Sequence, residues 1–181
     1  MCMKFKAELY DEKVLGRVIT RIAHEISERN ESLDDVVLVG VKTRGVPFGQ
    51  RLARCIHDKI DESVNVPVGA LDITTFRDDI DNGARKRQLN NSEMPCDING
   101  KTVIITDDVI CTGRTARAAI DALITFGRPA KIQLAVLVDR GHREVPIRAD
   151  YVGKNIPTSH LETIKVGFAD TDGRDFVEIY E

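Results

Sequence analysis

The sequence predicts an α/β fold with a mainly parallel sheet flanked by helices. Three observations carry this. Continuous apolar runs at 36–40 (VVLVG) and 132–138 (IQLAVLV) are of the kind found in strands covered on both faces. Segments between such runs have helical periodicity. The unit at 102–138 reads strand, helix, strand, and a crossover of that length joins parallel strands with right-handed hand.

Along the chain, Asp11 is a natural N-cap, and Val14, Leu15, Val18, Ile19, Ile22, Ala23 and Ile26 then fall on one helical face, predicting a helix to about Asn30. The strand at 36–40 follows, and Pro47 starts a second helix through Ile60. Residues 66–73 read as another strand. The polar stretch 74–99 lacks periodicity and is expected to be a long mobile loop or hairpin, and long loops in compact domains are usually functional or disordered. A strand at 102–107 leads through a polar turn to a helix at 114–126 closed by Gly127, then to the strand at 132–138. Two β-like runs at 164–168 and 176–180, separated by a turn at 170–173, should extend the sheet or form a small flanking lobe.

With 181 residues, 42% hydrophobic and 30% charged, the chain is expected to be one domain over 1–181, able to bury its core without disulfides or metal. Disordered, collagenous and disulfide-stapled classes are excluded. The net charge of −3 argues against a protein with a globally basic surface and leaves room for a local basic face. Cys2, Cys55, Cys96 and Cys111 are too widely spaced for a CxxC metal site, and are expected to be reduced thiols of a cytoplasmic protein. The first residues, MCMKFKAELYDEKV, lack the apolar region of an export signal, and no apolar stretch suits a membrane span.

In an open parallel sheet, ligands bind at the carboxyl ends of the strands, so the residues after TVIIT come first. They are Asp107, Asp108, Val109, Ile110, Cys111, Thr112, Gly113, Arg114 and Thr115. Adjacent acids suit ribose hydroxyls and a nearby divalent cation. TGRT offers hydroxyls, a permissive glycine and free N–H groups at a helix start, where a phosphate is stabilised. Either half alone would be an ordinary capped helix start, but together they match a sugar carrying a phosphate. A second strand-end turn, Lys42, Thr43, Arg44 and Gly45, has two cations and a glycine, a reasonable diphosphate cradle that alone would read as a solvated turn.

The 13 residues VIITDDVICTGRT closely resemble the phosphoribosyl-diphosphate (PRPP) signature of type I phosphoribosyltransferases. TRIAHEISERN, LVGVKTRG, DITTFRDD and GRPAKIQLAVLVDRGHREVPIRADYVGKNIPTS narrow the resemblance to the pyrimidine-operon attenuation branch of that family. It covers nearly the whole chain, most weakly at 1–10, 80–100 and 164–181.

The resemblance implies the fold of that family, with a loop that closes over the substrate and a small base-binding hood. Asp107 and Asp108 would contact the ribose hydroxyls. Thr112, Gly113, Arg114 and Thr115 would hold the 5-phosphate, and Lys42 to Gly45 the diphosphate. Asp139 would orient waters of a Mg²⁺ ion that arrives with PRPP, and Arg140 would lie beside the nucleotide. Tyr151, Val152, Gly153 and Ile156 would grip the base, and the loop at 72–87, with Arg77, Arg85, Lys86 and Arg87, would exclude water. Purine enzymes of the fold carry an acid where this chain has Cys111 and another near Thr158, and neither is present, which disfavours a purine. Most relatives in the attenuation branch have an aromatic residue at the Cys111 position. The implied reaction is uracil plus PRPP to UMP plus diphosphate, driven by positioning and charge stabilisation without an assigned general base.

The resemblance also implies binding of a hairpin in pyrimidine-operon leader mRNA, promoting transcription attenuation and regulating pyrimidine biosynthesis. UMP or UTP would favour that state and guanine nucleotides oppose it. The matching residues are Thr20, Arg21, His24 and Arg29 on the first helix, with His142, Arg143, Arg148 and Lys154. If the two segments converge, they form a basic face able to hold an RNA backbone. A homodimer or homotetramer is implied as well. Two alternatives stay open from residues alone: a plain uracil phosphoribosyltransferase without RNA binding, and a non-catalytic nucleotide sensor.

Overall fold

The computed structural model describes residues 3–78 and 91–181. Its centre is a five-stranded, all-parallel sheet in the order β3-β2-β4-β5-β6, made of β2 (Val36–Val41), β3 (Val68–Leu71), β4 (Thr102–Ile110), β5 (Lys131–Asp139) and β6 (Tyr151–Asn155). The apolar runs are continuous because both faces are covered. Leu38, Ile104 and Leu137 pack under α1 (Glu12–Arg29) and α2 (Gly45–Lys59), while Val37, Val39, Ile105 and Val136 pack against α3 (Arg114–Leu123). Asp11 caps α1 by accepting from the Val14 N–H at 2.7 Å, and Leu15, Ile19, Ile22, Ala23 and Ile26 are buried on one side of it.

A second, antiparallel sheet stands beside the first in the order β1-β8-β7, with β1 (Phe5–Tyr10), β7 (Thr163–Gly167) and β8 (Phe176–Tyr180). The run at 164–180 therefore forms a flanking lobe and does not extend the parallel sheet. A short helix, α4 (Ala169–Asp172), joins β7 to β8. Arg51 of α2 fastens this lobe to the central layer through Asp175 at 2.5 Å and Asp170 at 3.2 Å, with its guanidinium over the Phe168 ring.

Four readings of the sequence are corrected. β1, which has no pattern of its own in the sequence, is an edge strand held by β8. β3 is shorter than 66–73. Residues 124–126 leave the helix in tight turns, with the Thr125 and Phe126 N–H groups donating to Ala122 and Leu123, so α3 ends at Leu123. Finally, β4 does not stop at 107. It pairs with β5 as far as Ile110 opposite Asp139, so Asp107 and Asp108 are strand residues and not part of the following turn. Among the described residues, no helix is long and apolar enough to cross a membrane, and Cys55, Cys96 and Cys111 are free thiols.

Candidate active site

The carboxyl ends of β2 and β4 open into a cavity of about 480 Å³ lined by Val41, Lys42, Thr43, Arg44, Asp72, Ile73, Thr74, Arg77, Asp107, Asp108, Val109 and Thr115. Both strand-end turns thus meet at one place. Their closeness depends on Gly45: a Cβ there would lie 2.1 Å from the Thr106 carbonyl oxygen, so any other residue would force α2 away from β4. Thr106, fully buried, donates its hydroxyl to the Gly45 carbonyl at 2.8 Å. The Lys42–Thr43 peptide in this turn is cis.

The two acids fold back on their own strand. The Asp108 N–H donates to the Asp107 carboxylate at 3.0 Å, and the Val109 N–H to the Asp108 carboxylate at 2.9 Å. Removal from water pushes the Asp107 carboxyl well above its usual range, and the neighbouring Asp108 charge pushes it further. Burial also raises Asp108, against an opposing pull from the Arg44 guanidinium. A pair held this way is matched to a ligand that brings hydroxyl donors or positive charge.

Beyond Ile110 the chain turns at Cys111, Thr112 and Gly113, which with Thr115 line a smaller hollow of about 60 Å³ joined to the first through Asp107, Val109 and Thr115. Gly113 is left-handed, φ 85°, and a Cβ there would meet Val145 at 2.8 Å. The Thr112 hydroxyl accepts from the Arg114 N–H at 3.2 Å, which shapes the start of α3. Arg114 itself points outward, paired with Asp78 at 2.7 Å and with Glu144, so of this loop it contributes its backbone and not its charge.

A third hollow, about 340 Å³, is lined by Asp139, Arg140, Gly141, His142, Asn155, Ile156, Pro157 and Thr158 at the ends of β5 and β6. Arg140 reaches across it to the Thr158 hydroxyl and the Ser159 carbonyl, both at 3.0 Å. His142 lies against His160, ring centres 4.0 Å apart, and bonds the Thr158 carbonyl at 2.7 Å.

Several expected site residues are placed differently. Tyr151 is fully buried at the other end of β6, bonded to Gln133 and Asn30 through its hydroxyl, so it is a core residue and does not reach this hollow. Val152 packs among the partly buried residues on the α3 side, and Gly153 lies against α1; of the four expected base-binding positions, Ile156 alone lines the hollow. Asp139 accepts from the Gly141 N–H at 2.9 Å and from Arg143, so both its oxygens already have protein donors.

The basic residues divide into three places. Two successive left-handed residues, Gly141 and His142, fold the chain back so that Arg143 lies beneath the Cys111 turn, donating to the carbonyls of Cys111 at 2.6 Å and Ile147 at 2.7 Å and pairing with Asp139. Thr20 faces α2, where Lys59 donates to its hydroxyl at 2.9 Å. Arg143 is therefore not on an open basic face, whereas Thr20 lines a shallow hollow with Lys13, Arg17 and Lys59. The first helix and β6 do converge: Arg21 donates to the Val152 and Gly153 carbonyls at 3.0 and 2.6 Å, and Arg29 to Asp150 at 2.9 Å while lying over the Tyr151 ring. His24, Arg148 and Lys154 are exposed. Arg85, Lys86 and Arg87 lie outside the described residues. The inward turn of Arg143 and the cation-to-carbonyl seam on β6 had no signal in the sequence, because both depend on backbone direction.

The phosphoribosyl transferase domain family model matches residues 6–171. A protein from Clostridium perfringens named bifunctional protein PyrR is 56% identical over 179 residues, covering 99% of each chain, and one of the same name from Thermus thermophilus is 52% identical over 99% of this chain and 98% of its own. Among solved structures, a hypoxanthine-guanine phosphoribosyltransferase from Bacillus anthracis superposes with a TM-score of 0.72 at 23% identity, covering 99% of both chains. A hypoxanthine phosphoribosyltransferase from Trypanosoma cruzi gives 0.71 at 22%, over 97% of this chain and 96% of its own. At that identity these two show the shared fold alone, whereas the high-identity relatives and the family match establish that the chain belongs to the phosphoribosyl transferase family and, within it, to the PyrR proteins.

Proposed function

We propose that the chain transfers the phosphoribosyl group of PRPP to uracil, giving UMP and diphosphate, and that it binds a hairpin in pyrimidine-operon leader mRNA under control of uridine nucleotides to promote attenuation. The observation that supports the first activity is the meeting of Asp107 and Asp108 with Lys42 and Arg44 in one cavity, beside the N–H-rich start of α3. The acids accept from ribose hydroxyls, the Thr112 to Thr115 turn receives the 5-phosphate, and Lys42 with Arg44 meets the diphosphate. Charged when they accept from the ribose hydroxyls, Asp107 and Asp108 stabilise the positive charge that develops at the ribose carbon, an interaction strongest in the transition state.

Among the described residues, no three acid, His or Cys side chains gather closely enough to hold a metal alone. The carboxylates at the cavity nevertheless fit Mg²⁺, a hard ion that takes one or two protein oxygens and completes its shell with substrate phosphates and water. Bound there, the ion would neutralise diphosphate charge. Asp107, Asp108 and Asp72 face the cavity where it would arrive, whereas Asp139 is engaged by Arg143. The one carboxylate lining the hollow beside Arg140 and Ile156, Asp139, is paired with Arg143, and the positions where purine enzymes carry acids hold Cys111 and Thr158, which supports a pyrimidine.

For the RNA, the seam between α1 and β6 supports a basic face built from Arg21, His24, Arg29, Arg148 and Lys154. The test is a co-titration on one sample: UMP synthesis from uracil and PRPP, and hairpin affinity with and without UMP. UMP formation with tighter RNA binding in UMP is expected. Turnover without RNA affinity would reduce the chain to a plain transferase, and nucleotide binding without turnover to a sensor.

A further inference from the structure

Arg44 lies in the turn between β2 of the central sheet and α2, yet its side chain is held by the flanking lobe. Its Nε donates to the Val166 carbonyl of β7, and its Nη2 pairs at 2.8 Å with Asp172 at the end of α4. The remaining nitrogen, Nη1, has no hydrogen-bond partner among the described residues, and Arg44 lines the cavity with Asp107 and Asp108. Asp172 is itself immobilised. Its second oxygen accepts from the Phe168 N–H at 3.0 Å and from the Thr171 hydroxyl at 2.8 Å, so the acid cannot turn away when Arg44 is solvated.

We propose that Asp172 is a positioning residue, which through Arg44 presents one guanidinium edge to the diphosphate of PRPP. This rests on the phosphoribosyl reading of the cavity and adds to it a residue from outside both strand-end turns. An arginine with two of its three nitrogens fixed loses little further freedom when a ligand meets the third. Free of Asp172, the guanidinium would keep only its Nε contact to Val166, and its remaining freedom would be lost on binding. The Arg44–Asp172 pair is partly exposed, its side chains 41% and 25% accessible, so its worth lies in orientation more than in fold stability.

The test is PRPP affinity, measured by titration with Mg²⁺ on the full chain, for the wild type, Asp172→Asn, Arg44→Gln and the double variant. Asparagine keeps a carbonyl oxygen for the Phe168 N–H and removes the charge facing Arg44. Asp172→Asn should weaken PRPP binding about three- to tenfold, the range for leaving one flexible side chain to be ordered on binding. In the Arg44→Gln background the same change should have no further effect, since the residue acts only through Arg44. An unchanged affinity in Asp172→Asn, or an equal loss in both backgrounds, overturns the proposal while leaving the cavity a PRPP site. A wild type that does not bind PRPP overturns the cavity reading itself, and the proposal with it.

Discussion

The buried hydroxyl of Thr106 donates to the Gly45 carbonyl at 2.8 Å, joining the turn after β2 to the strand that carries the paired acids. Two segments 61 residues apart in sequence are thereby held as one surface. The distance leaves no room for a side chain at position 45, where a Cβ would fall 2.1 Å from the Thr106 oxygen.

Gly45→Ala should therefore separate the two halves of the cavity. Overpacking of this kind costs about 1–3 kcal/mol, equal to about 2–4 °C in Tm per 1 kcal/mol for a chain of this size. PRPP affinity should fall with it, while Gly16→Ala, where a Cβ meets nothing within 4 Å, serves as the control. Thermal melts and PRPP titrations of the two variants check this.

The acid pair gives a pH prediction. Burial raises the Asp107 carboxyl well above its unfolded value, and the Asp108 charge adds to this. The folded state thus holds the proton more tightly than the unfolded one. The stability this contributes is present below the ordinary carboxylate range and is lost as pH rises through the raised value. In the ligand-free protein, Asp107→Asn should raise Tm by a few degrees at pH 7, about 2–4 °C for each 1 kcal/mol recovered, and leave it nearly unchanged at pH 4. Melts at the two pH values check the sign.

Arg143 is expected to matter at the nucleotide turn and not on the RNA face. It bonds the Cys111 and Ile147 carbonyls and Asp139, and hydrogen bonds from charged groups of this kind contribute about 1.5–3 kcal/mol each. Arg143→Gln should raise the KM for PRPP about tenfold or more through loosening of the turn, at 1.4 kcal/mol per factor of ten. Arg148→Gln should leave that KM alone, weaken hairpin binding and reduce its salt dependence by about one phosphate contact. Steady-state kinetics and gel shifts across a salt series separate the two.

Fold and site are legible in the sequence where a residue's role follows from its neighbours in the chain. The runs in β2 and β5 are apolar throughout because both faces are covered, and α1 has one apolar stripe because only one side of it is. The strand-end turns at 42–45 and 111–115 were legible for the same reason: acids, hydroxyls and glycines there act within a few residues. β1 was missed because a short edge strand, half of it exposed, carries little pattern and is held by β8 from the far end of the chain. Tyr151 was misplaced by register. It pairs with Ala135 in the middle of β5, so its ring lies in the core while Asn155 and Ile156 reach the hollow. Arg143 reads as a surface cation until the left-handed Gly141 and His142 turn it inward.

The most direct measurement of the central claim is UMP formation from uracil and PRPP by Asp107→Asn with Asp108→Asn, beside the wild type. The arrangement of the two acids at the end of β4 predicts measurable turnover in the wild type and none in the double variant, with the fold intact. Undiminished turnover in the double variant would contradict the assignment of the cavity.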